Sequence, residues 1–332
     1  MKVKLDEVAK LAGVGLATVD RVLNERGGVT PATARKVIDA AGRLGWARLV
    51  PTLYRSGLRF EVLLGRREIP FFARLNDAFE RLLPTIGRGV TVQRTFVDDG
   101  RPDRIAEAIR RTRSNALIVY GQEQEQILDA IAAVTSAGIP VVTMVSDLPT
   151  APRLAYVGID HYAAGRAAAF FAARMAVRHG PLIVLCSSFQ YRAQSERVSG
   201  FRDGLADYAA TASIAALIEG QDNEALTRDL LVEAFRAVPQ AVGLYNAGAV
   251  NKAVEQALSA APFPRDLAVI GHDLTADTVR MLRNETMTLV IDQNPDLQAR
   301  QGLDILFARF GLSDKAGEAT NVPFTLHVRD NV

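Results

Sequence analysis

From Phe60 onward, short apolar runs alternate with longer runs of helical periodicity, and this alternation narrows the available folds more than any other feature of the chain. The apolar runs are FEVLLG (60–65), VTVQRTFV (90–97), ALIVY (116–120), IPVVTMV (139–145), PLIVLCS (181–187), AVGLY (241–245) and LAVIGHD (267–273). Helical runs fall between and after them at 72–83, 105–113, 126–137, 162–178, 198–208, 224–235, 249–260 and 295–310. Strand and helix in succession call for parallel strands joined by crossover helices that cover both sheet faces. About 270 residues exceed what one small sheet needs, so two similar lobes are expected over residues 60–332.

An open α/β sheet presents its ligand crevice at the carboxyl ends of the strands. Polar residues that directly follow an apolar run are therefore candidate ligand contacts. Gln122 and Glu123 follow ALIVYG, Ser146 and Asp147 follow VVTMV, Asn246 follows VGLY, Asp273 follows VIGH, and Gln293 follows LVID. Each could serve only as a turn former, but their recurrence points to a shared cleft.

Few other functions fit. A composition of 48% apolar and 23% charged residues is that of a globular chain. No apolar stretch reaches the ~18 residues of a membrane span; the small-residue run from Ala163 to Val177 is broken by Arg166 and Arg174. The start, MKVKLDEVAKLAG, has no signal-type apolar core, and the single cysteine, Cys186, cannot form an internal disulfide. A soluble cytoplasmic protein is expected. His161, His179, His272 and His327 show no metal-ligand spacing. GVGLAT (13–18) has no preceding strand and no third glycine, so it is a poor dinucleotide loop. No GxxxxGK[ST] phosphate loop occurs, and Asp98-Asp99-Gly100 reads as a turn. No catalytic pair, metal or cofactor is expected, and Cys186 reads as a core residue.

The amino-terminal segment differs in charge. Residues 1–60 hold 11 Lys and Arg against 5 Asp and Glu, whereas the remainder is mildly acidic, within a net charge of +2. A basic head on an acidic body suits a polyanion. Leu5, Val8, Ala9 and Ala12 recur at helical spacing and end at Gly13. A second short helix fits Leu16 to Leu23 with Val19, Val22 and Leu23 inward. A third opens at Thr30-Pro31 and runs through Ala34, Val37, Ile38, Ala41 and Leu44 to Gly45. Counted from Leu5, the small fifth residue Ala9, the ninth Gly13, the fifteenth Val19 and the eighteenth Val22 have the spacing of a helix-turn-helix.

LDEVAKLAGVGLATVDRVLN followed by VTPATARKVIDAAGRLGW resembles, over residues 3–46, the headpiece of the LacI/GalR family of bacterial transcription regulators. The resemblance implies a second helix in the major groove of a two-fold double-stranded DNA operator, bound by a homodimer or higher homo-oligomer. It makes Leu16, Ala17 and Arg21 the base-reading candidates. Arg21 would either grip guanine bidentately or clamp a phosphate. Thr18, Asn24, Thr30 and Thr33 match phosphate-contacting positions. Three departures stand out: Gly15 replaces a usual serine, Asp20 replaces another, and the family's hinge motif is missing. The link over 47–59 lies within ARLVPTLYRSGLRF instead, where Leu49 or Leu53 would be the residue to wedge into the minor groove and Pro51 bars a continuous helix.

Residues 60 to about 328 resemble the same family's effector domain, which shares its fold with periplasmic sugar-binding proteins. IPFF (69–72), LAYVGIDHYAAGR (154–166), ERVSGF (196–201), YNAGAV, GHD and IDQNP carry the likeness. It implies that Arg197, Asn246, Asp273 and Gln293 meet ligand hydroxyls and that Phe71 or Phe72 covers an apolar ring face, core packing being the other use of Phe72. Asp160 and Arg192 are weaker candidates. The implied architecture is a small all-α helix-turn-helix headpiece (1–46), a linker (47–59) and a two-lobed α/β periplasmic-binding-protein-like domain with parallel sheets (60–332). The implied function is a repressor of sugar or polyol catabolism genes that responds to a small polyhydroxylated effector. The alternative is a stand-alone sugar-binding protein with no DNA role.

Overall fold

The computed structural model describes residues 3–24, 26–44, 46, 57–86, 89–176, 180–209, 211–260, 267–313 and 321–332. Most of the expected linker, with Leu49, Pro51 and Leu53, lies outside the described residues.

The head is three helices. In α1 (Leu5–Ala12) the Glu7 carboxylate accepts from the Lys4 amide (2.8 Å), and the helix ends at Gly13 with φ 65°. A residue with a Cβ would be strained there, which is why the turn uses glycine. Helix α2 (Leu16–Leu23) starts from an extended Gly15 with no side-chain cap, the consequence of lacking a hydroxyl at that position. Thr30 caps α3 (Pro31–Leu44), its Oγ1 accepting from the Thr33 amide (3.3 Å). Val8, Ala9, Val19, Val22, Ala34, Val37 and Ile38 form the buried core, while Leu5, Ala12 and Leu23 are half-buried against it.

The body has two lobes. The first holds a parallel sheet in the order β2 (Val90–Phe96), β1 (Leu58–Leu64), β3 (Ala116–Val119), β4 (Val141–Met144), β5 (Ala155–Val157). Alternation along β1 sends Leu63 towards α5 (Pro102–Arg111) and α6 (Glu125–Ser136). Phe60, Val62 and Leu64 point to the other face, covered by α4 (Pro70–Leu82) and α12 (Pro295–Arg309). The second lobe's sheet runs β11 (Thr325–His327), β10 (Leu289–Asp292), β9 (Ala268–His272), β8 (Gly243–Asn246), β6 (Pro181–Cys186), β7 (Ser213–Glu219). Its pairs are parallel except β10 with β11, which are antiparallel. Helices α7 (His161–Met175) and α8 (Arg192–Tyr208) cover one face. Helices α9 (Glu224–Ala237), α10 (Asn251–Ala260) and α11 (Ala276–Arg283) cover the other.

The alternation therefore gives the two expected sheets; α11 lies outside the expected helical runs, and the other elements it did not reveal have physical reasons. Strands β5 and β11 are three residues long, too short to form an apolar run. Strand β7 is an edge strand whose residues are mostly exposed or half-exposed, so SIAALIE carries a weak signal. Helices α5 and α8 begin earlier than their periodicity, in the polar segments PDR and RAQSE.

The chain crosses between lobes after β5 and after β10, and Val322 then donates to the Gly158 carbonyl beside the first crossing (2.8 Å). These crossings place the carboxyl ends of both sheets around one cleft. Among the described residues no helix is long and apolar enough to cross a membrane.

Candidate effector cleft and nucleic-acid interface

Between the lobes lies a solvent-open space of about 440 Å³, only about 40 Å³ of which is cavity proper, whose wall brings together Phe71, Phe72, Arg197, Asp273 and Gln293 of the sequence-derived candidates. Arg197, buried on α8, donates from Nε to His161 Nδ1 (3.1 Å) and from Nη1 to the Ala247 carbonyl (2.8 Å). Because Nδ1 accepts, the His161 proton sits on Nε2, which donates to the Val145 carbonyl (2.6 Å). Burial, then the Arg197 charge, keeps His161 well below its ordinary pKa, so the imidazole is neutral.

Asp273 leaves β9 with φ 70°, which turns its buried carboxylate into the cleft. Gln293 Nε2 donates to its Oδ1 (2.7 Å). Burial pushes the Asp273 carboxyl up to about 6, against the lowering influence of Arg197, Gln293 and Arg74. Gln293 Oε1 is buried and has no partner in the protein. A buried amide oxygen left unpaired costs free energy, so its place in the cleft wall suits a ligand hydroxyl. Beside the cleft, Arg74 of α4 grips Asp292 at the end of β10 (2.5 Å), an ion pair between the lobes. Burial alone would raise the Asp292 carboxyl, and the hydrogen bonds and charge of Arg74 hold it below its ordinary value.

The aromatic wall forms at the start of α4. Phe72 packs over Gly65, where a Cβ would come within 2.3 Å of its ring. Its centroid is 4.6 Å from that of Tyr120, which in turn stacks on Tyr191 from the other lobe (5.4 Å, 9° between planes). Phe71 and Phe72 both line the cleft and belong to the surrounding apolar core.

The other strand-end candidates support the cleft from outside its wall. Asn246 shapes the loop that carries Gly248: its Oδ1 accepts from the Gly248 amide (3.0 Å) and its Nδ2 donates to Asn251 (2.9 Å). It lines a smaller neighbouring space of about 140 Å³ instead. Gln122 donates to the Asp99 carbonyl (3.3 Å), and Glu123 accepts from Thr150 (2.9 Å). Ser146 Oγ accepts from the Ala193 amide of the opposite lobe (3.3 Å). Asp147 is held by both ends of the Arg153 guanidinium (2.5 and 2.6 Å). Asp160 caps α7 through the Ala163 amide, and Arg192 pairs with Glu196 (2.7 Å).

The cleft wall also carries Tyr120, Tyr191, Gln194 and Asp222, which strand-end reasoning did not single out. Asp222 follows β7 and obeys the same rule, but that strand was not legible. Tyr120 is the last residue of ALIVY, and its apolar neighbours hid it. Cys186 is buried at the end of β6, and burial, aided by the charges of Glu219 and Asp222, pushes its thiol up to about 12. Among the described residues no cluster of His, Cys, Asp and Glu is arranged to hold a metal ion.

On the head, α2 buries Val19 and Val22 and leaves Leu16, Ala17 and Arg21 exposed on its outer face. Leu16 is 54% exposed and stands outside the packed head core. Thr18 is half-buried, and Asn24 and Thr30 are exposed. Arg26 pairs with Asp20 (2.8 Å) and Asn24 donates to it (2.7 Å). That pairing offsets the carboxylate that replaces serine, and it also engages the Asn24 amide. Thr30 and Thr33 share a hydrogen bond (2.9 Å).

Comparison with known proteins separates the same two parts. The family described as "Bacterial regulatory proteins, lacI family" matches residues 4–48, and the "Periplasmic binding protein domain" matches residues 60–311. The HTH-type transcriptional regulator DegA of Bacillus subtilis is 23% identical over 83% of this chain and 82% of its own length. GalR of Escherichia coli is 23% identical over 81% and 79%, and the repressor PurR of Vibrio cholerae 24% over 81% of each. Among solved structures, an ABC transporter solute binding protein of Burkholderia graminis in complex with D-arabinose superposes with a TM-score of 0.76 at 20% identity, over 83% of this chain and 97% of that one. GanP, a glucose-galactose binding protein of Geobacillus stearothermophilus, does so with a TM-score of 0.76 at 18% identity, over 83% and 99%. At these identities the structural likeness is one of fold.

Proposed function

We propose, from the lacI family of bacterial regulatory proteins to which this chain belongs, that it is a ligand-responsive regulator of transcription whose head binds an operator and whose cleft binds a small polyhydroxylated effector. The observation that carries this reading is the outer face of α2. Its inner face is fully used by the head core, whereas Leu16, Ala17 and Arg21 stand exposed in a row with no packing role. On this reading residues 1–46 contact DNA, with Arg21 on a base edge and Thr18, Asn24, Thr30 and Thr33 near phosphates. The headpiece sets this reading above a stand-alone binding protein.

The effector assignment rests on complementary chemistry. Arg197 donates, Asp273 and Gln293 Oε1 accept, and Phe72 with Tyr120 and Tyr191 offers ring faces to the apolar side of a sugar. The D-arabinose bound by one structural neighbour, and the description of another as a glucose-galactose binding protein, support that choice. Occupation draws the lobes together and changes the spacing of two heads in a homodimer; the ligand acts by preferring one of the two arrangements. No catalytic step is assigned.

The test is selection of binding sites from random double-stranded DNA with the full chain, followed by binding to the enriched sequence with and without pentoses, hexoses and polyols. A two-fold symmetric consensus whose affinity changes with one sugar is expected. Binding of equal strength to all sequences would refute the regulator reading.

A further inference from the structure

One wall of the cleft carries a carboxylate presented by an unusual turn. Gln221 and Asp222 follow β7 with φ of 53° and 50°, a left-handed conformation that disfavours residues with a Cβ and is rarely adopted twice in succession. Main-chain bonds hold it on both sides: the Gly220 amide donates to the Cys186 carbonyl (2.8 Å), the Gln221 amide to the Ser187 carbonyl (2.8 Å) and the Asn223 amide to the Gly220 carbonyl (2.9 Å). The turn sets Asp222 on the wall shared by the cleft and the smaller space beside it, where its Oδ1 accepts from Ser187 Oγ.

The charges around this residue are unbalanced. Among the described residues no basic side chain forms an ion pair with Asp222 or with Asp273. Arg66, whose charge reaches Asp222, is bound to Asp99 (2.8 Å), Arg74, whose charge reaches Asp273, is bound to Asp292 (2.5 Å), and Arg197 spends its bonds on His161 and the Ala247 carbonyl. Gln293 Oε1 adds a buried acceptor without a partner. The wall thus offers two carboxylates and an amide oxygen against one guanidinium. Hydroxyl or ammonium hydrogens satisfy such a wall, whereas a phosphate or carboxylate placed beside it meets like charge in a poorly solvated space. Burial, with the Asp99 charge beside it, raises the Asp222 carboxyl above its ordinary value, against the lowering influence of the Ser187 hydroxyl and the Arg66 charge.

We propose that the cleft admits polyhydroxylated ligands carrying no negative charge, and that Asp222 is the residue that excludes sugar phosphates and sugar acids. This rests on the effector reading above and sharpens its ligand class.

The experiment is calorimetric titration of the full chain with matched sugars: galactose and galacturonate, glucose and glucose 6-phosphate, ribose and ribose 5-phosphate, with glucosamine as a cation. In the wild type the neutral or cationic member of a pair binds at least roughly tenfold tighter than its anionic partner. The variant is Asp222→Asn, because asparagine tolerates the left-handed turn and still accepts from Ser187; an unchanged ligand-free melting curve shows that the fold persists. Its preference for the neutral partner narrows by about tenfold. Equal binding of both partners by the wild type, or an unchanged ratio in the variant, overturns the proposal and leaves the sugar reading standing. Silence from every sugar in both proteins removes the sugar reading and the charge rule together.

Discussion

Asp273 shows how a side chain can be retained at a cost to stability. Its carboxyl is pushed up to about 6 in the folded chain, against an ordinary value near 4, so the folded state holds its proton more tightly than the unfolded one does. As pH rises from about 4 through 6, the folded state must ionise a buried group and loses stability on the order of 3 kcal/mol from this residue. Asp273→Asn keeps the left-handed backbone and can still accept from Gln293. It should therefore melt several degrees above wild type at pH 8, with the gap closing towards pH 4, while losing effector response. Thermal melts across that range check it, and an equal or lower midpoint at pH 8 would contradict the account. Arg197→Ala should abolish effector response and spare operator binding, since the guanidinium serves only the cleft and its rim; induction retained in that variant removes Arg197 from the site. On the head, Arg21→Ala should weaken operator binding by about 1–3 kcal/mol and relax sequence choice at one position. A uniform loss over all sequences would make Arg21 a phosphate contact.

Helices α7 and α8 approach each other closely, and glycine makes the approach feasible. A Cβ on Gly200 would lie 2.1 Å from the Tyr162 carbonyl oxygen, and one on Gly165 would lie 2.0 Å from the Arg197 carbonyl oxygen. Neither neighbour is a flexible side-chain end, so both backbones would have to separate. Gly200→Ala should therefore cost about 1–3 kcal/mol and displace Arg197 with its helix. The measurement is a melting curve with sugar titration, and wild-type values for both would show that the helices can part freely. Element by element, legibility followed the physics. The head helices, α7 and most central strands were readable because a buried face imposes a period on the residues that fill it. Strands β5, β7 and β11 were not, because short or edge strands have little buried face to mark. The same limit explains why Asp222 escaped notice while Asp273, at the end of fully buried β9, did not.

At the scale of the molecule, α12 joins the cleft to the head. Asn294 caps it directly after Gln293, and about 22 Å further on it ends at Arg309, which donates to the Arg43 carbonyl of α3. Phe310 lies against Gly42, and Leu312 packs on the head core, as does Trp46, the chain's only tryptophan. A ligand that shifts Gln293 has a rigid path to the head, so Trp46 emission should change on addition of a bound sugar. Leu312→Ala should weaken that change and speed amide exchange in α3 while leaving sugar affinity within about twofold. Flat emission in the presence of a stabilising sugar would exclude α12 as the link. Local patterns in the chain were enough to specify the three head helices, the two α/β lobes and the polar residues at strand ends, because periodicity and turn chemistry act over a few neighbouring residues. Which of those polar residues meet in the cleft, which are spent on Arg153, Thr150 or a loop, and how Tyr191 and Asp222 enter the wall depended on the crossings between lobes. Those crossings juxtapose residues over a hundred positions apart, and no local period records such a distance.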